Sequence, residues 1–478
     1  MKISLSYESK NYASTVFDTI RIFLPHLTWQ DLTNGALDTN LFLIKEENNE
    51  VVVGLWDGPK LHETISDEDN NETKRTIKYT VYRYFTEILK FSPSPWGILT
   101  GIRPTKIVHR YWDQGLTEKE IQELLEKKFI LTPSKAQKLI QITKIQRKYL
   151  LAPEEAQKSV SVYISIPFCP TRCSYCSFPA FAIGRSRSEI SQYLKNLVLE
   201  IQEVGKALQK ARVNIQTIYV GGGTPSALNL VELEFLLKAI NQYLFTDNIE
   251  YTFEAGRPDT IDEEKLALLK DYHVNRISIN PQTMWEKTLE KVGRKHTPQD
   301  IIDKFNMTRG LGFANINMDL IVGLPGEGLL EFKYTLKEIS KLKPENLTVH
   351  ALAIKRTAQL KEQQEDLKEN QAQDMFFYLE KWCEENFYLP YYLYRQKHIL
   401  GNLENVGYSL GEKPCIYNIQ MIEERQTIWG LGVGSGSKIV NPLDWTLLNK
   451  YNPKDLGLYN QRIKEIIQAK VDKIQTLG

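Results

Sequence analysis

Cys169, Cys173 and Cys176 fall within eight residues and form a CxxxCxxC run, the densest set of metal-binding side chains in the chain. A structural zinc site takes four protein ligands. No fourth cysteine or histidine follows at zinc-ribbon spacing, the nearest candidates being His273 and Cys383, so zinc is the weaker alternative. Three thiolates on a four-iron cluster leave one iron without a protein ligand. The amino and carboxylate groups of S-adenosylmethionine (SAM) can chelate that iron, and one electron from a low-potential cluster then cleaves the sulfonium bond to release a 5′-deoxyadenosyl radical. The missing fourth ligand is then part of the chemistry.

The run follows the apolar stretch Val162 to Ile166, in the loop IPFCPTRCSYC, and loops at the carboxyl ends of barrel strands are where such folds place their chemistry. YVGGGTP, Tyr219 to Pro225, ends the next strand. Its glycines let a ligand approach the main chain and offer N–H and C=O groups to a methionyl amino group. The same GGG sequence also serves as an ordinary strand-to-helix turn, so its weight comes from the cysteines. Glu254, Gln282 and Asp319 stand at further strand ends. An unpaired carboxylate in apolar surroundings is costly. Glu254 and Asp319 therefore point to a ligand, such as ribose hydroxyls, the alternatives being that they cap helices or form ion pairs with Arg276 and Arg294.

Positioning these residues requires repeated βα units, and from Val162 onward short apolar runs alternate with amphipathic helices. Strands are predicted at Val162 to Ile166, Thr217 to Val220, Glu250 to Glu254, Asn275 to Ile279, Ile316 to Val322 and Leu347 to Leu352. Between the first two, Ile190, Leu194, Leu197, Ile201, Val204 and Leu208 share one helical face. The fold class is α/β: an incomplete (β/α)6 barrel over residues 156–355, open on one side and able to admit a large substrate. Residues 1–155 read as a small N-terminal α+β lobe, with Phe42-Leu43-Ile44 and Val51 to Trp56 as alternating stretches. A helical connector from Glu118 to about Tyr149 follows, with Pro133 between two helices. Residues 356–478 read as a mixed C-terminal lobe containing a charged helix, the aromatic run Tyr388 to Tyr394 and a glycine-rich segment, Gly430 to Gly436.

A chain of 478 residues, 42% hydrophobic, is expected to hold about three domains. No segment approaches the 18 or so uninterrupted apolar residues of a membrane span. The start MKISLSYESKNYAST reads as neither a secretory signal nor a transit peptide, which predicts a cytoplasmic protein. The net charge of +1 supplies no global field for nucleic acid. Five cysteines, an odd count, in a reducing compartment argue against structural disulfides.

Taken together, YISIPFCPTRCSYCSF, IYVGGGTPS, TFEAGRPD, ISINPQTM, VGRKHT and NMDLIVGLPGE, spread over about Val160 to Lys355, resemble the oxygen-independent coproporphyrinogen III oxidase family of radical SAM proteins. WGILTGIRPTKIVHRYW (Trp96 to Trp112) and LYRQKHILGNLENVGYS extend the likeness to its HemZ-type subgroup, coproporphyrinogen dehydrogenase. The resemblance implies a radical SAM barrel with a 4Fe-4S cluster on Cys169, Cys173 and Cys176. It implies SAM contacts from Tyr163, Tyr175, Gly222, Gly223, Thr224, Glu254, Gln282, Arg294, Asp319 and, through its backbone, Ala351. The implied reaction removes hydrogen from the β-carbon of propionates of coproporphyrinogen III, with loss of carbon dioxide and one further electron, to leave vinyl groups. Two rounds give protoporphyrinogen IX. A low-potential donor such as flavodoxin or ferredoxin would supply the electron for SAM.

Four propionates require cationic side chains. Arg185, Arg187, Lys355 and Arg356 are candidates, or else ordinary solvated charges. Two positions depart from the well-defined oxidases: Phe178 stands where they have a further cysteine, and Ser165 where they have a histidine. Relatives without that cysteine include a haem chaperone type, so haem binding, or another radical SAM reaction on a tetrapyrrole, is the alternative. His296 and His350 are the histidines of the barrel segment that could ligate haem, although a lone histidine is more often structural. Cys383 reads as a buried small hydrophobe, and Cys415 has no partner at metal spacing.

Overall fold

The computed structural model describes residues 4–7, 12–24, 41–47, 50–55, 59–64, 70–101, 103–176, 181–182, 187–353, 369–396 and 399–476. They form two compact units, Met1–Thr143 and Lys144–Gly478. In the first, β1 (Ser4–Tyr7), β2 (Leu41–Glu47), β3 (Glu50–Leu55) and β4 (Lys60–Thr64) make a four-stranded sheet in that order. β1 and β2 are parallel and the other pairs antiparallel. Val51 and Val53, two residues apart on β3 and so on one face, pack with Val16 and Ile20 of the helix Ala13–Ile20 and with Ile77 and Val81 of the helix Asn70–Arg83. This is the small α+β lobe expected from the alternating stretches. Further on, Pro133 opens the helix Pro133–Gln146, a position where proline's missing N–H leaves no helical bond unmade.

The second unit is built on an eleven-stranded sheet. In chain order its strands, with two short ones outside it, are β5 (Ser159–Ile166), β6 (Phe168–Cys169), β7 (Phe181–Ala182), β8 (Asn214–Gly222), β9 (Glu250–Glu254), β10 (Arg276–Ser278), β11 (Ile316–Val322) and β12 (Asn346–Ala351). They continue with β13 (Tyr388–Tyr394), β14 (Asn405–Leu410), β15 (Thr427–Leu431), β16 (Gly436–Val440) and β17 (Leu447–Tyr451). The strand order is β13-β14-β12-β11-β10-β9-β8-β5-β15-β16-β17, with β6 and β7 paired separately. The six predicted strands are the consecutive neighbours β5 and β8 to β12, parallel throughout. Their carboxyl ends therefore share one rim. On the helix Arg187–Lys210 all six residues of the predicted apolar face are buried.

Beyond the predicted strands, β15 adds a seventh parallel one on the outer side of β5, in register from Thr427 opposite Val160 to Leu431 opposite Ile164. Parallel partners are joined by long crossovers and have no hairpin turn to announce them, so the short run TIWGL gave no sign of its neighbour. β14 pairs antiparallel with β12 and β13 with β14. The aromatic run of β13 packs inward: Tyr391 and Tyr392 share a core with Cys415, Tyr417, Tyr163 and Tyr219. No helix among the described residues is long and apolar enough to cross a membrane.

Candidate cofactor site

The cysteine loop is stitched to the glycine turn by main-chain bonds. Gly223 N–H donates to the Ile166 carbonyl at 2.8 Å and Thr224 N–H to the Phe168 carbonyl at 2.7 Å. A Cβ on Gly223 would lie 2.7 Å from the Phe168 carbonyl oxygen, and Gly222 adopts φ +116°. The glycines are thus required for the turn to close on the loop, whatever else they contact. The Thr224 hydroxyl donates to Cys169 Sγ at 3.4 Å, and Cys176 N–H donates to the Cys173 carbonyl at 3.1 Å. Cys173 is buried, Cys169 and Cys176 half-buried. Burial pushes the Cys169 thiol up; the Thr224 hydroxyl acts against that rise, and the neighbouring Cys176 and Cys173 add to it. Coordination by iron displaces such thiol protons.

Among the described residues no three His, Cys, Asp or Glu side chains converge on one metal ion. Glu254 ends β9 behind the glycine turn. Tyr219 O–H donates to its Oε1 at 2.6 Å and Gly222 N–H to its Oε2 at 3.3 Å. Burial raises the Glu254 carboxyl to about 7, the Tyr219 hydrogen bond opposing and Asp319 assisting.

The ion pairs weighed as alternatives do not form. Arg276 faces Glu250 at 3.7 Å. Arg294 is buried and donates from Nη1 to the Asn280 carbonyl and from Nη2 to the Gly256 carbonyl at 3.2 Å. Its Nε, and Gln282 Oε1, are buried without a hydrogen-bond partner. Gln282 has φ +66°, a left-handed conformation that costs a non-glycine residue energy and recurs at ligand sites. Its N–H donates to the Asp319 carbonyl at 2.9 Å, which ties it to β11. Asp319 Oδ1 accepts from Asn317 Nδ2 at 2.8 Å, and its Oδ2 lies 4.0 Å from His350 Nε2. Ala351 N–H donates to Asn405 Oδ1 at 3.0 Å.

Tyr163 stacks on Tyr219 and Tyr417, with centroids 6.1 and 6.2 Å away. Tyr175 packs against Val292, Ile321, Leu324 and Leu352. Tyr219, which holds Glu254, and Arg257, which touches the cysteine loop, were not singled out from sequence. Both lie inside quoted motifs, but only spatial partners distinguish them. Phe178, Arg185, Lys355 and Arg356 lie outside the described residues. Arg187 pairs with Glu232 at 3.0 Å on the surface. His296 is buried with neither ring nitrogen bonded, and burial lowers it to about 4, with Arg294 acting in the same sense.

Glu327, in the GLPGE segment, accepts from the Thr283 hydroxyl through Oε1, while its buried Oε2 has no partner. Burial raises it from 4.5 to about 7. Below about pH 4.5 the acid is protonated folded or unfolded, and no penalty arises. The penalty grows between pH 4.5 and 7 and is complete above. Glu327→Gln is therefore expected to gain stability relative to the parent as pH rises through that window, by up to about 3 kcal/mol at pH 8. Urea unfolding at pH 5 and pH 8 measures it, and an equal effect at both pH values would refute the assignment.

Residues 163–339 match the model of the Radical SAM superfamily. Over 411 residues the chain is 41% identical to the oxygen-independent coproporphyrinogen-III oxidase-like protein HemZ of Bacillus subtilis, spanning 85% of this chain and 82% of that one. The heme chaperone HemW of Bacillus subtilis is 36% identical over 196 residues, 41% of this chain and 50% of that one. The solved coproporphyrinogen III oxidase HemN of Escherichia coli, described as a radical SAM enzyme, shares the fold at TM-score 0.54 and 24% identity, over 66% of this chain and 72% of that one. With the cysteine triad at the mouth of a parallel sheet and likeness to HemZ over most of both chains, this chain belongs to the HemZ-like coproporphyrinogen III oxidase family of radical SAM proteins, which use a 4Fe-4S cluster and SAM.

Proposed function

We propose that the chain catalyses oxidative decarboxylation of propionate side chains of coproporphyrinogen III, leaving vinyl groups. The observation that carries this is the extent of the likeness to HemZ, 82% of that protein against 50% of HemW: it runs beyond the barrel into the flanks, where a family sets substrate choice around a shared cofactor core. Each propionate loses one hydrogen atom from its β-carbon, one electron and carbon dioxide. The hydrogen passes to the deoxyadenosyl carbon and the electron to a one-electron acceptor.

Cys169, Cys173 and Cys176 would hold the cluster, which together with SAM supplies the deoxyadenosyl radical on one-electron reduction by a flavodoxin- or ferredoxin-like donor. Gly222, Gly223 and Thr224 would approach the methionyl part through their carbonyls, since their N–H groups are held by Glu254, Ile166 and Phe168. Glu254, fixed by Tyr219 and Gly222, and Asp319, fixed by Asn317, accept ribose hydroxyls. Gln282 Oε1 and Arg294 Nε, buried and unpartnered, gain partners when SAM binds, which offsets their desolvation. Tyr163 and Tyr175 wall the pocket. Ala351 contributes its carbonyl, since its N–H is held by Asn405.

Haem binding without decarboxylation is the second reading, favoured by the likeness to HemW over 196 residues and by Ser165 and Phe178. One anaerobic assay separates the two: reconstituted protein, SAM, reductant and coproporphyrinogen III, with 5′-deoxyadenosine, carbon dioxide and protoporphyrinogen measured together. Equal release of carbon dioxide and deoxyadenosine is expected. Stoichiometric binding of haem added in a parallel sample, with no carbon dioxide released from coproporphyrinogen III, would sink the proposal.

A further inference from the structure

We infer that Arg257 is a positioning residue that sets the electron affinity of the cluster, acting on Cys173 through a guanidinium held by Asp259. The inference rests on the cluster assignment above. Arg257 lies just past the carboxyl end of β9 and is 3% exposed. Its Nη1 lies 3.9 Å from Cys173 Sγ and donates to the Thr171 hydroxyl at 2.8 Å, within the loop between the first two cysteines. On its far side Nε and Nη2 donate to the two oxygens of Asp259, each at 2.9 Å. The charge is thus clamped with one edge on the carboxylate and the other on the thiol.

An arginine cannot shed its proton to escape burial, and a loop tie alone could be made by a neutral side chain without desolvating a cation. What a fixed positive charge adds is stabilisation of negative charge on the thiolates. Reduction adds one electron to the cluster, and net charge and hydrogen bonds to the sulfurs are what set cluster potentials. Arg257 therefore favours the reduced state, and Asp259 tempers it. Two charges of opposite sign on one clamp predict opposite shifts when each is removed.

The test is a redox titration of the reconstituted cluster followed by electron paramagnetic resonance, in the parent, Arg257→Met, Arg257→Lys and Asp259→Asn chains. At the parent's midpoint, Arg257→Met is expected to hold about tenfold less reduced relative to oxidised cluster, equivalent to about 59 mV for a one-electron couple. Arg257→Lys should fall between it and the parent, and Asp259→Asn should shift the other way. A role confined to holding the loop would lower cluster content in the variants without ordering their potentials. Equal potentials in the parent and Arg257→Met, or an unchanged or lowered potential in Asp259→Asn, overturn the inference. If Arg257→Met loses its cluster, Asp259→Asn alone still decides. A parent chain that takes up no iron and sulfide would instead defeat the cluster assignment, a different failure.

Discussion

Cys173→Ala, reconstituted anaerobically with iron and sulfide, is expected to release no 5′-deoxyadenosine above background, a loss of at least about 100-fold, since removing only an outer-shell partner of a metal ligand commonly costs 10–100-fold. Cys173 is the most enclosed of the three thiols, at 9% exposure. Its main-chain carbonyl also receives the Cys176 N–H, and this bond survives the substitution, so the loop keeps its frame while losing one donor. Two thiolates leave two irons without protein ligands, and iron content should fall with the characteristic absorbance. Cys383→Ala, on the helix Glu369–Glu385, which carries none of the three cluster cysteines, is the control and should keep its iron. Full SAM cleavage by Cys173→Ala would remove the basis for placing the cofactor here.

The largest expected loss of stability lies away from the cofactor. Glu200 is fully buried on the helix Arg187–Lys210. It accepts from Gly432 N–H at 2.8 Å, Asn452 Nδ2 at 3.1 Å, Tyr459 O–H at 2.7 Å and Lys470 Nζ. Lys470 Nζ also donates to the Gly430 carbonyl at 2.6 Å. Removing one member of a buried pair strands the other charge, at a cost of about 3–5 kcal/mol. Lys470→Met should therefore lower the urea midpoint strongly, and adding Glu200→Gln should recover much of the loss. If the double variant were no more stable than Lys470→Met, the stranded charge would not be the cause. The pair also bears on the site, because Gly430 stands opposite Tyr163 in the β15–β5 register, on the strand that leads into the cysteine loop.

Much of the site was legible because it is local. CxxxCxxC after an apolar strand, GGG after the next, and Glu254, Gln282 and Asp319 at strand ends each depend on residues within one βα unit. The parallel order of β5 and β8 to β12 then brings those ends to one rim. The glycines proved more demanding than the chemistry alone required, since Gly223 is confined by the Phe168 carbonyl. Arg294, implied at the SAM site by the resemblance alone, lies buried on two main-chain carbonyls, which no periodicity in VGRKHT reveals.

By itself, the sequence determined the six central parallel strands, the apolar face of the helix Arg187–Lys210 and the spacing of the cysteine run, because periodicity, turn residues and ligand spacing are properties of neighbouring positions. Only the tertiary structure decided that β15 lies beside β5, that Tyr219 holds Glu254, that Arg257 meets Cys173 and that Lys470 neutralises Glu200. Those are pairings between segments far apart in the chain, chosen by shared burial and charge compensation, and no local pattern encodes which distant partner will be there.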